Sequence, residues 1–305
     1  MYRLTILGSL LPLLFHCPVQ AADVPQRELI WAQNNAPPFF ITEGPNRGQG
    51  FGDPMQRMLE EELSSFRHIT REMPLRRLNQ FWKQGANYCF ATMIHQPLRP
   101  DANYILSIPN VFYRPHGIIA ARNNSRVQGI KTRHAEHQPA YSIRYFFQEP
   151  KIRFGLMSNR TFGPKIDPLL NAHKDQLEIY DRSDADGLEG LFNMLKVGRV
   201  DYLIDYPFVF RYYDRQAAYR DHFQFIPLHE NRDDGIWGAV GCSKNRWGEQ
   251  RITEINAAIT RLVDRQDYRE LIIKWHAAEG EEERYWQGLR HRVQQASNAA
   301  RGATP

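Results

Sequence analysis

Arg99 is the first residue of this chain whose type and setting could do chemistry. It stands in the loop His95-Gln-Pro-Leu-Arg-Pro-Asp-Ala-Asn103, just past Tyr88-Cys-Phe-Ala-Thr-Met-Ile94, an apolar run rich in β-formers. Such a run reads as a strand buried on both faces. A cation beyond the carboxyl end of a buried strand lies where open α/β sheets bind ligands. A guanidinium fork matches a carboxylate bidentately, as an ammonium cannot. Capping the strand, or pairing with Asp101, is an equal alternative for Arg99. A second candidate is Asn35-Ala-Pro-Pro-Phe-Phe-Ile41, a rigid turn that delivers Phe39 and Phe40 either to a cleft or to the core. Enzyme signatures fail: there is no G-x-S-x-G elbow, P-loop or dinucleotide fingerprint. Asp181 to Gly187 looks superficially like a calcium loop, but in register on Gly187 its first and last ligand positions fall on Arg182 and Asn193. His134 and His137 lack further metal ligands at suitable spacing and read as part of a polar loop.

The elements that must position these residues follow from periodicity. Glu28 to Asn34 reads as a first strand, and Gly44 to Gly52 as a turn-rich, hairpin-like stretch. Asp53 as N-cap and Pro54 at the first helical position open a helix reaching about Phe66, with Met55, Met58, Leu59, Leu63 and Phe66 on its buried face. A strand over 67–73, a helix from Leu75 to Lys83 and the strand at Tyr88 complete a β-α-β-α-β order, which implies a parallel, doubly wound sheet. Val111 to Ala121 reads as an extended crossing segment, and Asn123 to Tyr141 as a polar loop excursion. Further strands are expected at 152–157, 177–181 and 235–244, and helices at 187–197, 250–264 and 267–276. Past Gly280 the chain is charged, with Trp286, Leu289 and Val293 at helical spacing, either a docked helix or a frayed tail.

Segments spread along the chain, in order, resemble the family 3 bacterial extracellular solute-binding proteins, the amino-acid receptors of ABC importers. Met93 to Arg99 followed by Ser107-Ile-Pro109 is similar to the family's M-x-x-T-P-E-R…F-S-x-P-Y signature. The resemblance implies that Arg99 grips a ligand α-carboxylate, with Gln96 replacing a threonine that touches the same group. Asn35 to Phe40 resembles the P-P-F segment whose aromatic lines the cleft. Ser158-Asn-Arg-Thr161 resembles the G-x-x-x-G-T-T loop of the second lobe; Asn159 replaces a glycine, and Arg160 is an added cation that is either a solvated loop arginine or, facing the cleft, suits an acidic or larger anionic ligand. Gly198-Arg-Val-Asp-Tyr-Leu-Ile-Asp205 resembles G-R-V-D-x-x-x-x-D, which gives Asp201 a structural role and Asp205 the ligand ammonium. A carboxylate facing an arginine across a cleft is what a desolvated zwitterion needs. The alternative for Asp205 is a salt bridge with an arginine such as Arg211. Gly235 to Lys244 and the closing Ile272-Ile-Lys-Trp275 also match the family pattern.

The family implies an α/β, type 2 periplasmic-binding-protein fold: two lobes, each a doubly wound and mostly parallel sheet, joined by two crossing strands and closing by hinge motion. On this scheme residues 1–21 are a signal peptide, 22–114 and 234–277 the first lobe, 115–233 the second, and 278–305 a charged tail. The signal-peptide expectation rests on Met1-Tyr-Arg3, the apolar stretch Leu4 to Phe15 and the small-residue site Val19-Gln20-Ala21. Export to the periplasm leaves Cys89 and Cys242, either a disulfide or two buried thiols. Across 305 residues, 42% hydrophobic and 24% charged, the modest formal charge of +5 is scattered, so no nucleic-acid stripe is formed. The expected protein is a monomeric, cofactor-free periplasmic receptor that captures a polar amino acid or related small zwitterion for an ABC permease. The alternatives are a receptor-like periplasmic sensor or a dehydratase-type enzyme on the same fold.

Overall fold

The computed structural model describes residues 27–95, 97–98, 100–158, 160–182, 187–232 and 235–302. The signal-peptide segment, Gln96, Arg99 and Asn159 lie outside these described residues.

The first lobe grows from β1 (Arg27–Gln33), α1 (Gly52–Glu62), β2 (Phe66–Glu72), α2 (Leu75–Lys83) and β3 (Cys89–Ile94), the β-α-β-α-β order read from the sequence. β1 pairs in parallel with both β2 and β3. The chain then forms β4 (Tyr104–Leu106) and β5 (Val111–Tyr113) and leaves for the second lobe. That lobe comprises β6 (Gly117–Ala121), α3 (Ser125–Arg133), α4 (Ile143–Phe147), β7 (Arg153–Met157), α5 (Asp167–His173), β8 (Glu178–Arg182), α6 (Gly187–Lys196), β9 (Tyr202–Asp205), α7 (Pro207–Asp214) and β10 (Phe223–Pro227). Its sheet runs β10-β6-β9-β7-β8, with β7 parallel to β8 and β9, and β6 antiparallel to β9 and β10. β11 (Ile236–Ser243) returns to the first lobe, antiparallel to β3, β4 and β5, and is followed by α8 (Arg246–Leu262), α9 (Gln266–His276) and α10 (Glu282–Gly302).

Three sequence expectations change. Residues 44–52 form turns rather than a hairpin, with Gly44 and Gly48 at positive φ. Asp53 is not the N-cap of α1; Phe51 is, and the Asp53 carboxylate instead accepts hydrogen bonds from Ile41 N–H (3.1 Å) and Gly50 N–H (3.0 Å). A short acid there serves the turn that precedes it better than the helix it opens. The polar segment after Asn123 contains helix α3, N-capped by Asn124, whose carbonyl accepts from Val127 N–H at 3.0 Å. Its buried contacts are few, Val127 and Ile130, which is why its periodicity is weak.

The charged C-terminal stretch is a docked helix. Trp286, Leu289 and Val293 are buried, and α10 packs along α8 and α9. Each such side chain contributes roughly 1.5–3 kcal/mol by leaving water. The Tyr285 hydroxyl accepts from Phe112 N–H and donates to Phe112 C=O, which ties α10 to β5 at the exit from the first lobe. Among the described residues no helix is long and apolar enough to cross a membrane.

Cys89 and Cys242 are directly opposite on β3 and β11 and are joined as a disulfide, both fully buried. The bridge closes a 153-residue separation that spans the whole second lobe. Replacing both cysteines with alanine should cost roughly 2–5 kcal/mol of stability, because the unfolded chain regains the entropy that the cross-link removes. Urea unfolding of the double variant against the oxidised protein checks this; coincident midpoints would refute it.

Candidate functional site

The site is the seam where loops from the two lobes meet, and β9 builds its floor. Its buried sequence Tyr-Leu-Ile-Asp carries a carboxylate at each end, Asp201 just before the strand and Asp205 as its last residue. Asp201 accepts from Arg153 N–H (2.8 Å), Nε (3.0 Å) and Nη2 (2.9 Å), and from Asn124 Nδ2 (2.9 Å). Burial works against ionisation, yet the Arg153 and Asn124 bonds outweigh it and hold the Asp201 pKa below its usual range. Asp201 thus welds β9 to β7 and to the start of α3, the structural role that the family resemblance implied. A cavity of about 370 Å³ beside it, lined by Asn124, Arg126, Arg153 and Lys196, lies at the opposite end of β9 from the seam.

Asp205 is 1% exposed. It accepts from Tyr206 N–H at 2.7 Å and forms an ion pair with the Arg160 Nη2. Burial raises its pKa, and the adjacent Arg160 charge and the Tyr206 N–H oppose that rise. Arg160 follows β7 in the Ser158–Thr161 loop, with its guanidinium carbon 5.7 Å from the Tyr206 ring centroid and 6.0 Å from that of Phe162. The arginine beside Asp205 is therefore Arg160 and not Arg211, whose Nη2 donates to the Trp275 carbonyl at 2.7 Å.

Phe39 meets this floor from the first lobe. Its turn is held by Phe51 N–H donating to the Pro38 carbonyl (2.9 Å) and Gly52 N–H to the Phe39 carbonyl (2.7 Å). A Cβ at Gly50 or Gly52 would lie 2.6 or 2.7 Å from the Phe39 oxygen, so only glycine permits this approach. Phe39 then contacts Tyr206 (6.2 Å between centroids) and Phe208 (5.2 Å) across the seam. Phe51, Tyr113 and His276 complete the cluster: Phe208 lies 5.3 Å from Phe51 and 4.7 Å from His276, and Tyr113 lies 5.1 Å from Tyr206. His116, on the crossing segment after β5, stacks on Tyr206 at 3.9 Å.

The sequence-derived residues separate accordingly. Phe39, Arg160 and Asp205 come together at the seam. Phe40 does not; it is fully buried against Phe90 in the first-lobe core, as alternating residues of a tight turn often diverge. Asn35 is used internally, its carbonyl accepting from Thr42 N–H at 3.2 Å. The Ser158 hydroxyl donates to Asp181, and Thr161 is exposed beside the loop. Sequence reading missed Tyr206, Phe208, His116 and His276. The first two were detectable: Tyr206-Pro207-Phe208 directly follows a strand ending in a carboxylate, the Pro opening α7. The histidines gave no local signal. Elsewhere on the surface, His134, Glu136 and His137 bring their ligand atoms within 4.8 Å of one another, closer than spacing implied, with His134 stacked on Tyr145.

His276 carries a testable consequence. Neither ring nitrogen has a hydrogen-bond partner among the described residues, and burial, helped by the Arg211 charge, depresses its pKa from 6.5 to about 3. The unfolded chain therefore takes up this proton first. The stability contribution is complete above pH 6.5 and is lost as pH falls from there toward about 3, at up to about 1.4 kcal/mol per pH unit. Urea unfolding across that window should show a steeper acid loss for the native protein than for His276→Phe; parallel profiles would refute it.

No protein-family model matches the chain, and no curated protein matches it by sequence. Solved structures do. The GluR0 ligand-binding core from Nostoc punctiforme in complex with L-glutamate is 16% identical, over 82% of this chain and 100% of that one, with a TM-score of 0.59. An ancestral arginine-binding protein bound to arginine is 14% identical, over 82% and 98%, at 0.57. The ancestral amino-acid-binding protein AncCDT-1, a precursor of cyclohexadienyl dehydratase, is 13% identical, over 82% and 95%, at 0.59. The likeness covers about four-fifths of the chain, and with its two sheets the chain has the two-lobed periplasmic-binding-protein fold.

Proposed function

We propose that this chain is an exported solute-binding protein that closes its two lobes on a small polar solute, an amino acid or a close relative, and presents it to an ABC permease. The observation that carries this reading is the seam itself. An aromatic turn from one lobe and a charged strand end from the other converge on one spot, Phe39 against Tyr206 and Phe208 with Asp205 and Arg160 beneath. Among the described residues the backbone passes between the two sheets twice, after β5 and before β11, and these crossings supply a hinge. The solved structures that it resembles are for the most part binding proteins, some of ABC transporters, which supports the same reading. Arg99 and Gln96 are proposed to hold a ligand carboxylate, as the family motif implies. Periplasmic location, cleavage near Ala21 and a monomeric state belong to this proposal, as do lobe boundaries at 114 and 233.

An enzymatic reading has one observation behind it: Asp205 is a buried carboxylate of raised pKa, and AncCDT-1 is a dehydratase precursor. Turnover of a cyclohexadienyl substrate, lost in Asp205→Asn, would establish it.

The test of the binding reading is a thermal-shift screen of the purified protein against amino acids and small organic acids. A solute present at a hundred times its dissociation constant stabilises the bound form by about 2.7 kcal/mol. One or a few solutes should raise the midpoint, and Arg99→Ala should abolish that rise while leaving the unliganded midpoint unchanged. A screen with no responsive solute would overturn the reading.

A further inference from the structure

The carboxylates around the seam are already committed. Asp205 is paired with Arg160 and Tyr206 N–H. Asp53 holds Ile41 and Gly50 N–H, and Asp167 holds Phe162 N–H (2.7 Å) and Gly163 N–H (3.1 Å). Asp181 accepts from Ser158, and Glu72 from the Thr42 hydroxyl at 2.7 Å. Asp214 lies at the far end of α7 from Asp205. Among the described residues at the seam, none offers a free acid to a ligand ammonium.

Positive charge, by contrast, is in surplus. Arg114, Arg211, Arg215 and Lys274 form no ion pair with a described carboxylate, and burial first, then the like charges of Arg114 and Arg215, disfavour protonation of Arg211. A cavity of about 230 Å³ between α7 and the end of α9 is lined by Phe208, Arg211, Tyr212, Arg215, Lys274 and Trp275, with no acid among them. Arg211 borders the ring cluster at His276, and Arg160 borders it at Tyr206. An ammonium brought to Asp205 would place two cations on one buried carboxylate, and Arg160 would have to lose its partner inside a poorly solvated site.

We propose that Arg160 is the built-in counter-ion of Asp205, occupying the place of a ligand ammonium, so that the solute of this seam is a carboxylate-bearing organic anion without an amino group. The proposal rests on the solute-binding reading above and narrows its ligand class.

Isosteric pairs that differ only in the amino group separate the two ideas. The purified protein is titrated, by thermal shift and calorimetry, with succinate against L-aspartate, glutarate against L-glutamate, and propionate against L-alanine. The native protein should bind the anion of at least one pair at least about tenfold more tightly than its amino acid, the scale of one lost charged hydrogen bond plus repulsion. Arg160→Gln frees Asp205 while retaining a donor beside it, and should shift that preference toward the amino acid by a similar factor. Asp205→Asn should keep the preference for the anion. Circular dichroism and unliganded melting establish that both variants are folded. A native preference for the amino acid, or an unchanged preference in folded Arg160→Gln, overturns the assignment and leaves solute binding standing. Failure of every probe to bind the native protein removes both.

Discussion

A carboxylate that has left water must be met by positive charge or by hydrogen-bond donors, and the second lobe is arranged around that constraint at both ends of one strand. At the entry to β9, Asp201 gathers the backbone and guanidinium of Arg153 and the amide of Asn124. It thereby fixes the strand's neighbours and the start of α3. At the exit, Asp205 gathers Arg160 and the first free amide of the segment that becomes α7. The difference between the two shows in ionisation: rich hydrogen bonding holds Asp201 low, whereas burial prevails at Asp205. One end is a structural weld, and the other is a buried charge balanced by a single arginine.

What surrounds that charge is largely aromatic. Rings from the first lobe, from the crossing segment and from α7 meet in edge-to-face and tilted contacts, and the buried core of one lobe continues through them into the other. Each such pair adds roughly 0.5–1.5 kcal/mol beyond the apolar area that its rings bury. The buried, neutral histidines His116 and His276 are the polar exceptions, and both sit where a lobe-to-lobe contact is made. The low local dielectric that keeps them neutral also strengthens the Arg160–Asp205 attraction.

The first lobe supplies rigidity. A buried disulfide joins its two central strands across the return from the second lobe, and α10 covers α8 and α9 while holding β5 through Tyr285. Short crossings connect two sheets that are each internally braced. Phe39 rides on the rigid side, on a turn that close glycine approaches pin to α1. Arg160 and Asp205 ride on the other.

The order of strands and helices was legible because it rests on local physics: apolar runs of strand length and helical spacing in α2, α6, α8 and α9, with Pro74 before α2 and Gly187 opening α6. Asp201 and Asp205 could be assigned distinct roles from their places about one buried strand, and Phe39 was marked by the turn that precedes it. Partnership was not legible. Whether Asp205 meets a ligand, Arg211 or Arg160 depends on the pairing of β7 with β8 and β9, which leaves no mark at fixed sequence spacing. The same holds for Phe40 turning inward, for the disulfide between strands 153 residues apart, and for His276 arriving among rings from the other lobe. Sequence determined which residues carry charge and which elements bear them. Tertiary structure alone decided which charges had already found each other.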